Sequence, residues 1–269
     1  MIFFKKKIIF IHIPRCGGTT IEKNLWKNEF DNDFNFDKSD EKHLLQGFVD
    51  EYRNKYQFDG LQHLTLHNIK KIYPKESKDF FKFCFIRNPY SRIASTYASV
   101  MTLRKDLRNF LVTYKDTSFK KFLYLIKKNM HTHWLPINKF FDIEDLNFVG
   151  KFENFNDDLE KLGKLTNIEL INKNFSGDLN FSNKFNYLDL YKDRECVDLV
   201  SELYQDDLKK FDYSFDNFVE FEKKKKSSIP MSSNLDISPK EKTLWRFIKK
   251  YIKKKFYEIS NNLRYKDSW

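Results

Sequence analysis

Two polar turns, each following an apolar run, hold the residues best suited to chemistry. The first is Pro14-Arg15-Cys16-Gly17-Gly18-Thr19-Thr20; the second is Arg87-Asn88-Pro89-Tyr90-Ser91-Arg92, with Ser95 one turn further on. In the first, adjacent glycines leave backbone N–H groups open, and the start of a following helix adds partial positive charge, so the turn suits an anion such as phosphate. Thr19 and Thr20 supply hydroxyls and Arg15 a full charge. The ATP-loop pattern G-x-x-x-x-G-K-[ST] is absent, because Thr19 rather than lysine follows Gly18. That weakens a kinase-like reading. In the second turn Arg87 with Ser91 or Ser95 suits another phosphate. Two separate grips fit a nucleotide phosphorylated at both ends of its ribose.

The elements around these turns must place them on one surface. Lys7–Ile13 (KIIFIHI) reads as a buried strand, and Ile21, Leu25 and Trp26 then recur at helical spacing. Phe80–Ile86 (FFKFCFI) is a second strand, followed by a helical run through Ile93, Tyr97 and Val100. Asn147–Phe152 is a third, followed by a helix containing Leu159 and Leu162, and Arg194–Phe211 reads as one amphipathic helix. Gly60–Thr65 reads as a short strand or its exit loop, and Leu44, Leu45, Phe48, Val49 and Tyr52 suggest a helix before it. Strands alternating with helices predict an α/β fold with a central parallel sheet covered on both faces. Ligands in such folds sit at the carboxyl ends of the strands.

Composition narrows the class. Of 269 residues, 32% are charged and 41% hydrophobic, including 29 Phe and 14 Tyr. This is too polar for a membrane channel, too long for a disulfide miniprotein and too apolar for a disordered chain. The three cysteines, Cys16, Cys84 and Cys196, form no CxxC pair, so neither a disulfide framework nor a zinc knuckle is expected. With no signal core and no run of about 18 apolar residues, the reading is a cytoplasmic protein, at most peripheral to a membrane.

The net charge of +11 is concentrated at one end. Residues 223–269 hold 14 basic and 4 acidic side chains, leaving 35 against 34 for residues 1–222. The division read from this is an α/β domain over 1–222, a polar linker over 223–238 and a basic amphipathic helix over 239–269. Ser238-Pro239-Lys240-Glu241 starts that helix as a capping box with proline at the first position. Its apolar stripe docks on the body, or the helix touches a membrane surface or a polyanionic acceptor.

The motifs taken in order resemble a known family. Phe10 to Thr20 is similar to the 5′-phosphosulfate loop of carbohydrate sulfotransferases (heparan and chondroitin type, sulfotransferase family 2-like), FIHIPKTGGTS. Phe83 to Arg92 with Ser95 and Tyr97 is similar to their 3′-phosphate element, FxFVRNPYxRxxSxY. Further echoes are His133-Trp134-Leu135-Pro136, Phe148 to Asn154 and Leu203 to Tyr213. The chain departs from the pattern at Arg15, where the family usually has lysine, and after Pro136, where Ile137 and Asn138 replace the family's glutamine.

The resemblance implies a P-loop-like three-layer α/β/α fold with a central parallel sheet, and transfer of a sulfuryl group from 3′-phosphoadenosine 5′-phosphosulfate (PAPS) to a carbohydrate hydroxyl, without a metal. It places the 5′-phosphosulfate on Arg15, Cys16, Gly17, Gly18, Thr19 and Thr20, and the 3′-phosphate on Arg87 and Ser95. Arg15 would stabilise the leaving phosphate and His63 would act as general base, matching the histidine of uronosyl and glucosaminyl sulfotransferases. His131, His133 and Glu153 are the expected acceptor-side residues, with a structural role open for the two histidines and a loop-fixing one for Glu153. The acceptor would be a glycan or glycolipid, with no specific nucleic acid partner. Arg87→Ala would lose nucleotide affinity and leave the fold intact. A P-loop phosphotransferase and a non-enzymatic polyanion-binding protein are the alternatives.

Overall fold

Three runs rich in Ile, Val and Phe are too short for helices and apolar on both faces, the composition of strands covered on both sides. A computed structural model describes residues 1–29, 62–170 and 186–227, and Met1–Lys225 forms one compact unit. The strands are β1 (Ile2–Phe3), β2 (Ile8–Ile11), β3 (Phe81–Ile86) and β4 (Phe148–Lys151), adjacent in that order in one sheet. Every residue of β2 is buried, as are the last four of β3.

β2, β3 and β4 are parallel, with Ile11 opposite Cys84 and Ile86 opposite Lys151. The expectation of a parallel sheet holds for these three. β1 pairs antiparallel to β2, Ile2 opposite Ile9, because the Phe4–Lys7 turn is too short for a parallel crossover. Register partners Phe10 and Phe83 stack with ring centroids 5.0 Å apart and both are fully buried. Each such ring withdrawn from water contributes roughly 1.5–3 kcal/mol.

Helices flank the sheet. α1 (Gly18–Glu29) follows β2, α2 (Leu66–Ile72) and α3 (Glu76–Asp79) precede β3, and α4 (Pro89–Thr102) follows it. α5 (Lys105–Phe110) and α6 (Phe119–Lys128) come next, then α7 (Phe155–Thr166) after β4. α8 (Arg194–Leu203), α9 (Gln205–Lys210) and α10 (Phe215–Ser227) follow. A second core of Tyr90, Phe122, Trp134, Tyr191, Val200 and Phe218 packs these helices together, away from the sheet core of Phe3, Phe10, Phe83 and Phe85.

Two sequence expectations change and one is narrowed. The helix expected over Arg194–Phe211 breaks at Tyr204, whose backbone leaves the helical region (φ −124°, ψ 26°) and whose hydroxyl donates to the Trp134 carbonyl at 2.7 Å. Within Gly60–Thr65 the described residues, 62–65, form a turn and loop with no strand among them, and Thr65 Oγ1 caps α2 by accepting from the Asn68 N–H at 3.3 Å. The basic run at Lys223–Lys226 is helical, as part of α10, where a linker was expected. The helix expected around Leu44–Tyr52 and the basic helix over 239–269 lie outside the described residues.

Candidate active site

Parallel strands bring their carboxyl ends to one side, so β2, β3 and β4 deliver His12–Gly18, Arg87–Asn88 and Glu153 together. After β2 the chain reverses through two left-handed residues, Arg15 (φ 69°) and Gly17 (φ 84°), and α1 begins at Gly18. Neither glycine has room for a side chain. A Cβ on Gly17 would lie 2.5 Å from the Phe155 ring, and one on Gly18 would lie 1.8 Å from His12 Nε2. The turn is therefore bare backbone at the start of a helix, an anion cradle. Thr19 is exposed and Thr20 half-buried on its first turn. The Cys16 side chain points inward, where burial pushes its thiol up to about 12, so it packs and does not react.

The second grip is built on α4. Asn88 caps the helix by accepting from the Tyr90 N–H at 3.1 Å, with Pro89 at the first position. Ser91 and Ser95, four residues apart and buried, then share one face with Arg87. Arg87 Nε donates to Ser91 Oγ at 2.8 Å, and its Nη1 donates to the Arg15 carbonyl at 3.1 Å. Its guanidinium also lies 4.0 Å from the centroid of the Phe152 ring. Arg15 Nε in turn donates to Ser95 Oγ at 3.0 Å. The two turns are thus bonded to each other through both arginines.

Glu153 lies beneath this pair. One carboxylate oxygen accepts from the Asn88 N–H and the other from the Tyr213 hydroxyl, each at 2.9 Å. Burial and the Glu153 charge push the Tyr213 hydroxyl well above the usual tyrosine range. Of the two roles open to Glu153 from sequence, this geometry is the loop-fixing one.

The histidines converge from three places in the chain. His63 Nδ1 bonds the His12 carbonyl at 3.0 Å and must be the donor, which leaves Nε2 as a bare lone pair. Its ring meets His12 edge-on at 4.7 Å and His133 at 5.1 Å between centroids. His12 donates from Nδ1 to buried Glu22 at 2.7 Å, and the Gln62 amide holds both Glu22 oxygens at 3.2 Å. Burial holds His63 well below the usual histidine range, helped by His12 and His133. Burial, Arg104 and His131 bring His133 down to about 3. The structure therefore brings His133 to His63, with His131 packed against His133, while Glu153 belongs to the two turns.

Several participants escaped the sequence reading. Arg92, fully buried, donates to the carbonyls of Pro14 (3.2 Å) and Leu135 (2.7 Å), tying the first turn to the His133–Pro136 segment. Asp207 accepts from the Ile137 and Asn138 N–H groups at 2.6 and 2.8 Å, fixing the other side of that segment. Its place within the Leu203 to Tyr213 echo was the signal for it. Glu22, Gln62 and Arg104 carry none, because their partners are distant in sequence.

A model of the Sulfotransferase family matches residues 1–214, a span holding both turns and the whole histidine cluster. The chain belongs to the sulfotransferase family. No curated protein and no solved structure matches it. As a sulfotransferase it is an enzyme that transfers sulfate, and the interlocked turns at the strand ends are its candidate active site. Among the described residues of this sulfotransferase, no helix is long and apolar enough to cross a membrane.

Proposed function

We propose that this sulfotransferase uses 3′-phosphoadenosine 5′-phosphosulfate as donor and a carbohydrate hydroxyl, on a glycan or glycolipid, as acceptor. The observation that carries the reading is the bonded pair of grips, with Arg15 Nε on Ser95 Oγ at 3.0 Å and Arg87 Nη1 on the Arg15 carbonyl at 3.1 Å. One cradle lacks Cβ atoms and suits a phosphosulfate. The other has a buried guanidinium and two buried hydroxyls and suits a ribose phosphate.

The donor supplies an activated sulfuryl group on a phosphate leaving group. The Gly17–Thr20 turn with the α1 N-terminus binds and orients the phosphosulfate end, and Arg15 offsets negative charge there. Arg87, Ser91 and Ser95 bind the other end, giving the register that sets the line of transfer. His63, with Nδ1–H held by the His12 carbonyl, presents Nε2 to take the acceptor's proton. Its depressed basicity keeps it neutral at pH 7, and negative charge brought into the site raises it towards the range of an efficient base.

The test is a thermal-shift titration of the full chain with 3′-phosphoadenosine 5′-phosphate against ADP and ATP. Stabilisation by the first at concentrations where the others do nothing is the expected result. Equal responses to all three, or none, would remove the donor assignment. Labelled-sulfate transfer onto a panel of glycans then tests the acceptor class.

A further inference from the structure

The proton positions in the histidine cluster follow from its bonding partners alone. Arg104 Nη1 lies 2.8 Å from His133 Nε2, and because arginine only donates, Nε2 must carry the lone pair. That places the His133 proton on Nδ1. The other side of the ring reaches the same answer independently. His131 Nδ1 already accepts the His133 backbone N–H at 3.2 Å, so the 3.3 Å contact between the two Nδ1 atoms requires His133 to donate. Protonating His133 would set two N–H groups against each other at 2.8 Å and place a cation beside the Arg104 guanidinium.

Arg104 is itself fixed. Its Nε reaches both Asp106 oxygens at 3.0 and 3.1 Å, and Nη2 donates to Oδ2 at 2.6 Å, leaving Nη1 aimed at the imidazole. His133 is fixed by the short helical turn Thr132–Trp134, whose buried Trp134 donates from Nε1 to the Asn129 carbonyl at 2.9 Å. The guanidinium thus meets a ring that has no freedom to turn away.

We infer that Arg104 is a positioning residue for sulfate transfer: anchored on Asp106, it locks His133 as the neutral Nδ1–H form and so keeps a second positive charge off the ring of His63. The inference rests on His63 acting as base, as proposed above. A charged imidazolium 5.1 Å from His63 would disfavour the imidazolium that His63 must become when it takes the acceptor's proton. The groups facing His63 are His12, His133 and Arg104, with Glu22 behind His12; those facing His133 are Arg104, Asp106, His131, His63 and His12. Arg104 is the one among them that is always charged and directly bonded to His133.

The test is a pH titration of the imidazole nitrogens by long-range proton–nitrogen NMR on the full chain, with no donor or acceptor added. In the unsubstituted protein His133 should show the Nδ1–H form and stay neutral from pH 8 to about pH 5. Arg104→Met should let His133 titrate, with loss of the single tautomer, and shift the His63 titration; Arg104→Lys, which restores a charged donor, should return the neutral form. Affinity for 3′-phosphoadenosine 5′-phosphate should stay within twofold in both variants. An Nε2–H form, or ordinary titration of His133 in the unsubstituted protein, overturns the inference even if the variants do not fold. So does an Arg104→Met spectrum identical to the parent. Failure of the donor assignment shows separately, as no preference for the bisphosphate over ADP.

Discussion

Arg15 and Ser95 are 80 residues apart in the chain and bonded at 3.0 Å, guanidinium to hydroxyl, across the gap between the turns that follow β2 and β3. Arginine's planar fork reaches this hydroxyl through Nε, and its carbonyl at the same time accepts from Arg87. Lysine, usual at this position in the family, has a compact ammonium in place of that fork. In the fold the arginine joins the turns.

Removing the Ser95 hydroxyl should therefore affect one end of the nucleotide. For Ser95→Ala we expect affinity for 3′-phosphoadenosine 5′-phosphate to fall about tenfold to a hundredfold, the range for a lost hydrogen bond to a charged group. Affinity for ADP should hardly change. Calorimetry with both nucleotides checks this, and an equal loss for both would place Ser95 away from the ribose phosphate.

Arg87→Ala should cost stability as well as affinity, against the expectation from sequence that the fold stays intact. Arg87 is only 4% exposed, and its removal leaves Ser91 Oγ and the Arg15 carbonyl without a donor they now use. A loss of roughly 2 kcal/mol or more is the scale for such a change. Urea unfolding without ligand measures it, and an unchanged midpoint would show that the site relaxes around the gap.

The two glycines of the first turn should differ in cause. Gly18→Ala puts a methyl group into the ring of His12, which Glu22 holds in place, so we expect loss of the folded turn and of nucleotide binding together. Gly17→Ala meets only the edge of the Phe155 ring but forces alanine to φ 84°, a strain on the order of 1–2 kcal/mol. Melting temperatures of the two variants should fall in that order, Gly18→Ala lower.

Acid should destabilise the fold through His133. Its folded value of about 3 lies below the unfolded 6.5, so between those values the unfolded chain binds a proton that the folded chain refuses. Stability from this site is complete above pH 6.5 and declines as pH falls towards about 3, by up to about 1.4 kcal/mol per pH unit. His133→Gln, which still accepts from Arg104 but does not titrate, should flatten the decline between pH 7 and pH 5. Identical slopes for the two proteins would show that His133 takes a proton readily within the fold.

As the proposed base, His63 should set the acid limit of activity. A base must be neutral, and in the ligand-free protein His63 is held well below 6.5, so kcat/KM for sulfate transfer should persist as pH falls through 6.5. His63→Ala should lower the transfer rate by about a hundredfold to ten-thousandfold while leaving nucleotide affinity intact. A variant that keeps its rate on the glycan scoring best in the labelled-sulfate panel would assign the base elsewhere.

The strand, turn and helix around Gly17 and Gly18 were readable in sequence because their causes are local: a β-branched run, two residues without side chains, and apolar spacing that starts afterwards. The same holds for Asn88-Pro89, which caps and starts α4, and for Arg87, Ser91 and Ser95 on one face. Family membership followed from the same short segments. Tertiary contact alone decided that Tyr204 breaks a helix to reach Trp134, that Glu153 clamps Asn88, and that Arg104 meets His133 from 29 residues away. Side-chain hydrogen bonds between distant residues depend on how elements pack, and periodicity records which face is buried but not what it is buried against. The sequence determined which groups were present at the strand ends; packing decided which of them touch, and with that where each histidine carries its proton.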